Sequence, residues 1–492
     1  MPPSSSAFGA PSRPPTPYRP AAPALMFLAT LAAALSGCAA LVSAEAPLPA
    51  TPVPAMWSTP SGATVPGQTP TALARWWQRF NDAQLTTLVT QALLANTDVR
   101  SAQAALQQAR ALRDVKAAGL LPNVGASASA QRSKSGGNNA SNSFAAGFDA
   151  SWEPDIFGGK RSGLNATQAD TQAAAANLTN VQVSMAAEVA VTYIELRGLQ
   201  GRLAIARSNL ASQTETLQIT RWRGQAGLVS SLDVEQAVAS SEQTRAQIPT
   251  LETSLAQSLN SLAVLTGQAP GALQASLGPA APVPQASADL ALAIPAETLR
   301  QRPDVQAAEA RISAALSRVA QADAARYPSF SLSGSLGLRA LTLGALTNGA
   351  SVARSLLAGV SVPLFDGGAA RAQVRAQEAA LESARISYEA TVLTALKDVE
   401  DALVSLQGNR ERLARLQGAA QAAANAELMA RQRYNSGLID FRTVLDAQRT
   451  LLSPQDSVES TRASVSADLV RLYKALGGGW TPTDTDTASA MR

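Results

Sequence analysis

Few residue types that ordinarily carry out chemistry are present in this sequence. Its 492 residues contain no histidine and a single cysteine. Triads with a histidine base, histidine-ligated metals and disulfides are thereby excluded or nearly so. The one thiol, Cys38, closes the run Leu35-Ser36-Gly37-Cys38 behind Arg13, Arg19 and an apolar stretch from Ala21 to Leu35. That stretch is too short to span a membrane and reads as a secretory leader. Its ending has the form of a bacterial lipobox, in which the thiol is acylated and the cysteine becomes the new N-terminus; the alternative is a chance cysteine in an ordinary leader. Ala39 stands where an aspartate would resemble an inner-membrane retention signal, which favours the outer membrane. No residue set suggests a catalytic site, a metal centre or a cofactor. Net charge is +4, or +2 (4 − 2) without Arg13 and Arg19. No basic stripe with interleaved aromatics exists, so nucleic acid is not an expected partner.

The elements that would position any site are set out around Pro328. Before it Val305, Ala308, Ile312, Ala315, Val319 and Ala322 recur at heptad spacing, the pattern of a helix with one stripe to bury. After it the period falls to two. Phe330, Leu332, Leu336 and Leu338 alternate with serines and Gly337, and Ala358, Val360, Val362 and Leu364 form a second such run. Asp366-Gly367-Gly368 then signals a turn into another long helical pattern. The same grammar appears earlier: Asp98 to Pro122 matches Asp304 to Pro328 at an offset of 206 (304 − 98). Val124, Ala126, Ala128 and Ala130, then Phe144, Ala146, Phe148, Ala150 and Trp152, alternate with small or polar residues up to Phe157-Gly158-Gly159. The chain is therefore expected to hold two copies of a helix–strand–strand–helix unit.

In order, the reading is a signal peptide (1–37), a lipidated arm (38–75) and a first unit (76–267) with strands near 121–132 and 143–157. A Pro/Ala-rich linker (268–296) leads to a second unit (297–480) with strands near 328–339 and 352–365, then a flexible tail (481–492). The long helices after each strand pair run about 95–100 Å at 1.5 Å per residue. Lys160-Arg161 and Arg371 sit at their starts, where the helix dipole prefers anions; facing lipid phosphates is the one account the sequence suggests. Four strands cannot close a barrel, and an open sheet in lipid leaves its edge groups unsatisfied. The strands must close with those of other copies, giving eight, twelve or sixteen in all. A barrel continued by helices of this length is a conduit.

The lipobox, the duplicated unit, Tyr434-x-x-Gly437, Val444-Leu445-Asp446-Ala447-Gln448 and the ending Leu472-Tyr473-Lys474-Ala475-Leu476-Gly477-Gly478-Gly479-Trp480 together resemble the TolC/OprM outer membrane factors. More narrowly they resemble the lipoprotein branch serving RND-type multidrug efflux pumps. The likeness spans about Trp76 to Trp480. It implies a mainly α fold with transmembrane β: a homotrimer with a twelve-stranded barrel and an α-helical tunnel closed at its inner tip. It further implies docking to a periplasmic adaptor and an inner-membrane pump. The function expected is a passive exit duct for drugs or other small toxic compounds. A protein-secretion duct of the same architecture and a non-pore periplasmic scaffold are the alternatives, and the transported compound cannot be read.

By that resemblance Asp446 lines the inner constriction, where three carboxylates would form a ring favouring cations; otherwise it is a solvated helix acid. Thr443 occupies the position where the family often has a second acid, with Asp440, Arg442 and Tyr434 close by. Gly227-Leu228 and Gly437-Leu438 match the tips that meet the adaptor. Either glycine can equally serve the turn alone, whereas an exposed leucine at a polar tip suggests a partner. Phe144, Phe148, Trp152 and Phe365 are candidates for an aromatic girdle, with core packing at the barrel–tube junction the alternative for Phe365.

Overall fold

The computed structural model describes residues 73–134, 136, 139–286 and 296–479. Cys38, the leader, the arm up to residue 72, part of the linker, Trp480 and the tail lie outside them. Helix α1 (Ala83–Ala95) opens where the Asp82 carboxylate accepts from the Leu85 amide, and it buries Leu85, Leu88, Val89 and Ala92. The Asn96 side chain caps α2 (Thr97–Ala118) by accepting from the amides of Asp98 and Val99. Strands β1 (Asn123–Ser133) and β2 (Ser141–Trp152) follow, then α3 (Gly159–Gln225) and α4 (Ser231–Leu265), the latter opened by a Ser230/Asp233 capping box. After a short α5 (Gln274–Leu277), the order repeats as α6 (Pro303–Ala324), β3 (Ser329–Ala340), β4 (Val352–Ser361), α7 (Ala369–Asn435) and α8 (Phe441–Ala475). Helices α3 and α7 each have 67 residues, about 100 Å of rise. No helix among the described residues is long and apolar enough to cross a membrane.

The four strands form one antiparallel sheet in the order β1-β2-β3-β4. Rows such as Ala126, Phe148, Leu336 and Arg354 run across it, so every even-numbered strand residue shares one face. That face carries Val124, Phe144, Phe148, Trp152, Leu332, Leu338, Val352, Leu356 and Val360; the odd face is mostly serine, glycine and alanine. A Cβ on Gly147 would lie 2.7 Å from Gly337 Cα, so the β2–β3 pairing at mid-strand requires glycine on both sides. β1 pairs with β2 alone and β4 with β3 alone, which leaves both outer edges open.

Two strands end earlier than the alternation predicts. The strand expected over 143–157 stops at Trp152, and the one expected over 352–365 stops at Ser361. Pro154 and Pro363 cannot donate to a ladder, and the residues after them are committed to starting the long helices. The Asp155 carboxylate accepts from the amides of Lys160 and Arg161, and that of Asp366 from the amides of Gly368 and Ala370. The basic residues at these helix starts are thereby explained for the first copy: Arg161 pairs with Asp155 at 3.3 Å and Lys160 with Glu153 at 3.0 Å.

Helix α3 is flanked on both sides, by α2 and α6 in its upper half and by α4 and α8 below. Helix α7 packs chiefly on α6 and α8, and its far side leaves Ile386, Leu393 and Val404 exposed. At mid-height the two ends of the described chain are clamped together. Tyr473 stacks on the fully buried Trp76 at 5.6 Å, and the Gly479 amide donates to the Leu73 carbonyl at 3.0 Å. The buried Arg302 donates to the Ala475 carbonyl at 2.8 Å and to Asp304 at 2.7 Å. Buried Arg197 and Gln200 hold the 277–279 carbonyls against α3, and Tyr193 donates to Asp82 at 2.8 Å. Burial pushes the Tyr193 phenol up to about 12. Arg302→Met strands the Ala475 carbonyl and Asp304 and is expected to cost about 2–3 kcal/mol. Thermal unfolding of the purified protein should show it, with Arg302→Lys in between because an ammonium cannot fork to both acceptors.

Candidate functional site: the helical tips and the sheet faces

The chain reverses direction twice at the end of the long helices remote from the sheet, by the same local device. Gly227 and Gly437 both take φ of 72°. The Leu228 amide donates five residues back to Arg223 at 2.8 Å, and the Leu438 amide to Arg433 at 2.9 Å. These positive φ values strain any other residue, so the local turn by itself accounts for both glycines. The leucines are different: Leu228 is 73% exposed and Leu438 74%.

Below the second turn, Tyr434, Phe441, Val444 and Leu445 are buried in a cluster with Leu217, Ala237 and Ala430, which joins α3, α4, α7 and α8 at the tip. Asp440 caps α8, accepting from the Thr443 amide at 3.0 Å and the Thr443 hydroxyl at 2.6 Å. The hydroxyl, the amide and the nearby Arg442 charge hold the Asp440 carboxyl below the usual aspartate range. Asp440 and Thr443 are thus engaged with each other, whereas Arg442 and Asp446 project into solvent on the face opposite the cluster. Arg449 continues that face three residues further on, so Asp446 lies between two guanidinium groups at helical spacing. Among the described residues no ion pair engages Arg442, Asp446 or Arg449.

Two tip residues were not singled out by sequence reasoning. The sequence signal for Arg449 is its place three residues after Asp446. Arg223 lies with its guanidinium 4.1 Å over the Tyr434 ring and donates to the Tyr434 carbonyl at 3.2 Å. This ties the end of α3 to the end of α7, where two helices present unpaired carbonyls. Its one sequence signal was its place four residues before Gly227. Between α3 and α7, Glu215, Ile219, Leu428 and Arg431 line a groove of about 300 Å³.

On the sheet, Phe144, Phe148 and Trp152 share the apolar face at three heights. Phe144 lies toward the hairpin end and Phe148 in mid-strand. Trp152 is at the helix end, where its indole donates to the Leu120 carbonyl at 3.0 Å. Phe365 is 93% exposed and Leu364 95%, so core packing of Phe365 does not occur within this chain. At the junction it is Phe157 that packs, stacked on Tyr327 at 5.0 Å.

A sheet with one apolar and one small-residue face, joined to long helices that end in two tight turns with exposed leucines, has the form of a membrane-embedded channel subunit. The profile of the outer membrane efflux protein family matches residues 88–268 and 294–478. This chain belongs to that family, whose members are outer membrane channel proteins rather than enzymes. It is 32% identical over 464 residues to the toluene efflux pump outer membrane protein TtgF of Pseudomonas putida, covering 92% of this chain and 96% of that one. To the outer membrane protein OprJ of Pseudomonas aeruginosa it is 31% identical over 88% of this chain and 91% of OprJ. The solved outer-membrane channel OprN superposes with a TM-score of 0.79 at 36% identity, over 88% of this chain and all of that one.

The cap at Asp440 is open to test. Its lowered carboxyl pKa means that its contribution is present at neutral pH and is lost only as pH falls through that value. Asp440→Ala should expose the start of α8 and speed tryptic cleavage after Arg442. Asp440→Ser, which keeps a capping oxygen, should cleave at nearly the wild-type rate.

Proposed function

We propose that this protein is the outer membrane exit duct of a tripartite efflux system, passing small toxic compounds outward from an inner-membrane RND-type pump. Three chains would supply a twelve-stranded barrel continued by an α-helical tunnel. A lipid on Cys38 would add to the membrane hold, and a periplasmic adaptor would dock on the leucine-bearing tips and the adjoining groove. The names of the relatives support efflux of toluene-like and antibiotic compounds.

The observation that carries this reading is the complementarity of the chain's two flanks. One flank presents the free edge of β4 and the bare side of α7, with Leu364 and Phe365 uncovered. The other presents the free edge of β1 with Leu121, Val124, Leu112 and Val115 uncovered. In lipid an unpaired strand edge is prohibitively costly, and a head-to-tail contact between unlike flanks gives a ring when its rotation closes, which removes every edge. The duplication, taken as two copies of one unit, also gives the register of that contact. β1 and β3 correspond at an offset of 206 (329 − 123), and β2 and β4 at 210 (361 − 151). The pairs Phe144–Ala340 and Ala146–Leu338 of β2–β3 then become Arg354 opposite Lys134 of the next copy and Leu356 opposite its Arg132. Light scattering in mild detergent should give the mass of three chains; a monodisperse monomer would overturn both the pore and the assembly.

In such a ring the exposed face of α8 would place three Asp446 carboxylates at the constriction, framed by Arg442 and Arg449. Asp446→Ala removes the acids and leaves both rings of arginine. Planar-bilayer recordings should show cation selectivity lost and shifted toward anions, with weaker block by divalent cations. Unchanged selectivity would mean that Asp446 faces away from the pore.

A further inference from the structure

On the apolar face of the sheet, the described strand residues carry two charges, and both are arginines near the hairpin ends. Arg132 is the next-to-last residue of β1, and Arg354 is the third of β4. Both are exposed, and no hydrogen bond or ion pair engages either among the described residues. Neither hairpin segment, 134–140 nor 341–351, contains an aspartate or glutamate, while Lys134 adds a further cation. An arginine on a lipid-facing surface is costly in mid-bilayer and tolerated near the headgroups, where it finds an anion. Within one chain the two arginines lie on opposite outer strands. The register proposed above for ring closure changes this. Arg354 then stands opposite Lys134 of the next copy and diagonal to its Arg132, a separation of about 7–8 Å, within reach of a single phosphate group.

Beside Arg354, an apolar groove of about 520 Å³ runs from Val352 and Leu338 past Leu336, Phe148 and Ala146 to Ala126. It lies on the same face and shares the ladder row of Arg354. Its lining combines Gly147, Gly337 and the alanines with Phe148, Leu336, Leu338 and Val352, an apolar surface that suits a hydrocarbon chain. We infer that each seam between copies holds a phosphorylated membrane lipid, its phosphate gripped by Arg354 and the next copy's Arg132 and Lys134 and one acyl chain in the groove. Guanidinium groups fork onto phosphate oxygens with charge-assisted hydrogen bonds, and the chain supplies the desolvated apolar contact. The inference rests on the trimeric reading. It predicts three equivalent lipid sites per trimer, at the end of the barrel farthest from the helices.

Native mass spectrometry of the full-length protein, with diphosphorylated lipid A as the probe, tests it. Wild type should retain up to three lipid A molecules per trimer, and retention should survive an excess of inorganic phosphate. The Arg132→Gln/Arg354→Gln double variant should bind about tenfold more weakly. Arg339→Gln, which removes a charge from the opposite face, should behave as wild type. Equal retention by the double variant, or an equal loss in Arg339→Gln, would overturn the site. Displacement by inorganic phosphate would reduce it to an anion site and overturn the lipid assignment. The same spectra report the trimer mass. Its absence defeats the assembly itself, whereas an intact trimer with unchanged lipid retention defeats only this inference.

Discussion

The constraint on which everything else depends is the satisfaction of backbone hydrogen bonds in a medium without water. A four-stranded sheet with an apolar face can enter lipid, but its first and last edges cannot remain there unpaired. In the proposed ring that requirement would make the chain one part of a larger closed object and would account for features a lone chain leaves unexplained. Phe365 and Leu364 stand almost wholly in the open. One flank of α7 is bare although the matching flank of α3 is covered. Each deficiency on one side of the chain has a counterpart of the right kind on the other.

Within a single chain, order is imposed at mid-height rather than in the sheet. The strands contribute no buried core of their own, and the largest fully buried side chains include Trp76, Tyr193, Arg197 and Tyr473. All four belong to a clamp that fastens the start of the described chain, the linker and the end of α8 to the long helix α3. Buried cations such as Arg197 and Arg302 recur here because several helix ends and loop carbonyls converge, and a guanidinium can satisfy more of them than any neutral group. The closing glycines act in the same place: Gly477 ends α8 at φ 76°, and Gly479, at φ 110°, lets the chain cross to Leu73.

The strands and long helices were legible because their signals are periodic and local. Alternation about Pro328 and Pro122 places β1 and β3 to within two residues, and the matched glycines locate both tips. Where sequence reading overran, the competing signal was also local: Pro154 with Asp155, and Pro363 with Asp366, end strands that hydropathy would prolong. What stayed hidden were partnerships between residues far apart in sequence. Arg197 reads as an ordinary helix cation until the 277–279 carbonyls arrive beside it, and Arg223 becomes informative only when Tyr434 packs beneath it. Asp440, grouped with the gate on proximity, is engaged as a helix cap.

The distribution of chemistry along the chain fits a conduit that discriminates little by itself. Specific recognition needs convergent polar groups on a rigid apolar ground, and the odd face of the sheet offers the reverse. Small hydroxyls and glycines predominate there, with Asp149 and Arg339 its charged residues among those described, and Asp149 is already engaged by the Ser127 hydroxyl at 2.7 Å. Exposed charge gathers instead on the Arg442–Asp446–Arg449 face, which in the proposed ring would lie where the duct narrows and would act on ions rather than on molecular shape. A wall of small polar residues followed by one charged constriction would limit flux without selecting cargo. Selection would then fall to whatever loads the inner tip, which is where the chain exposes Leu228 and Leu438 at its two turns.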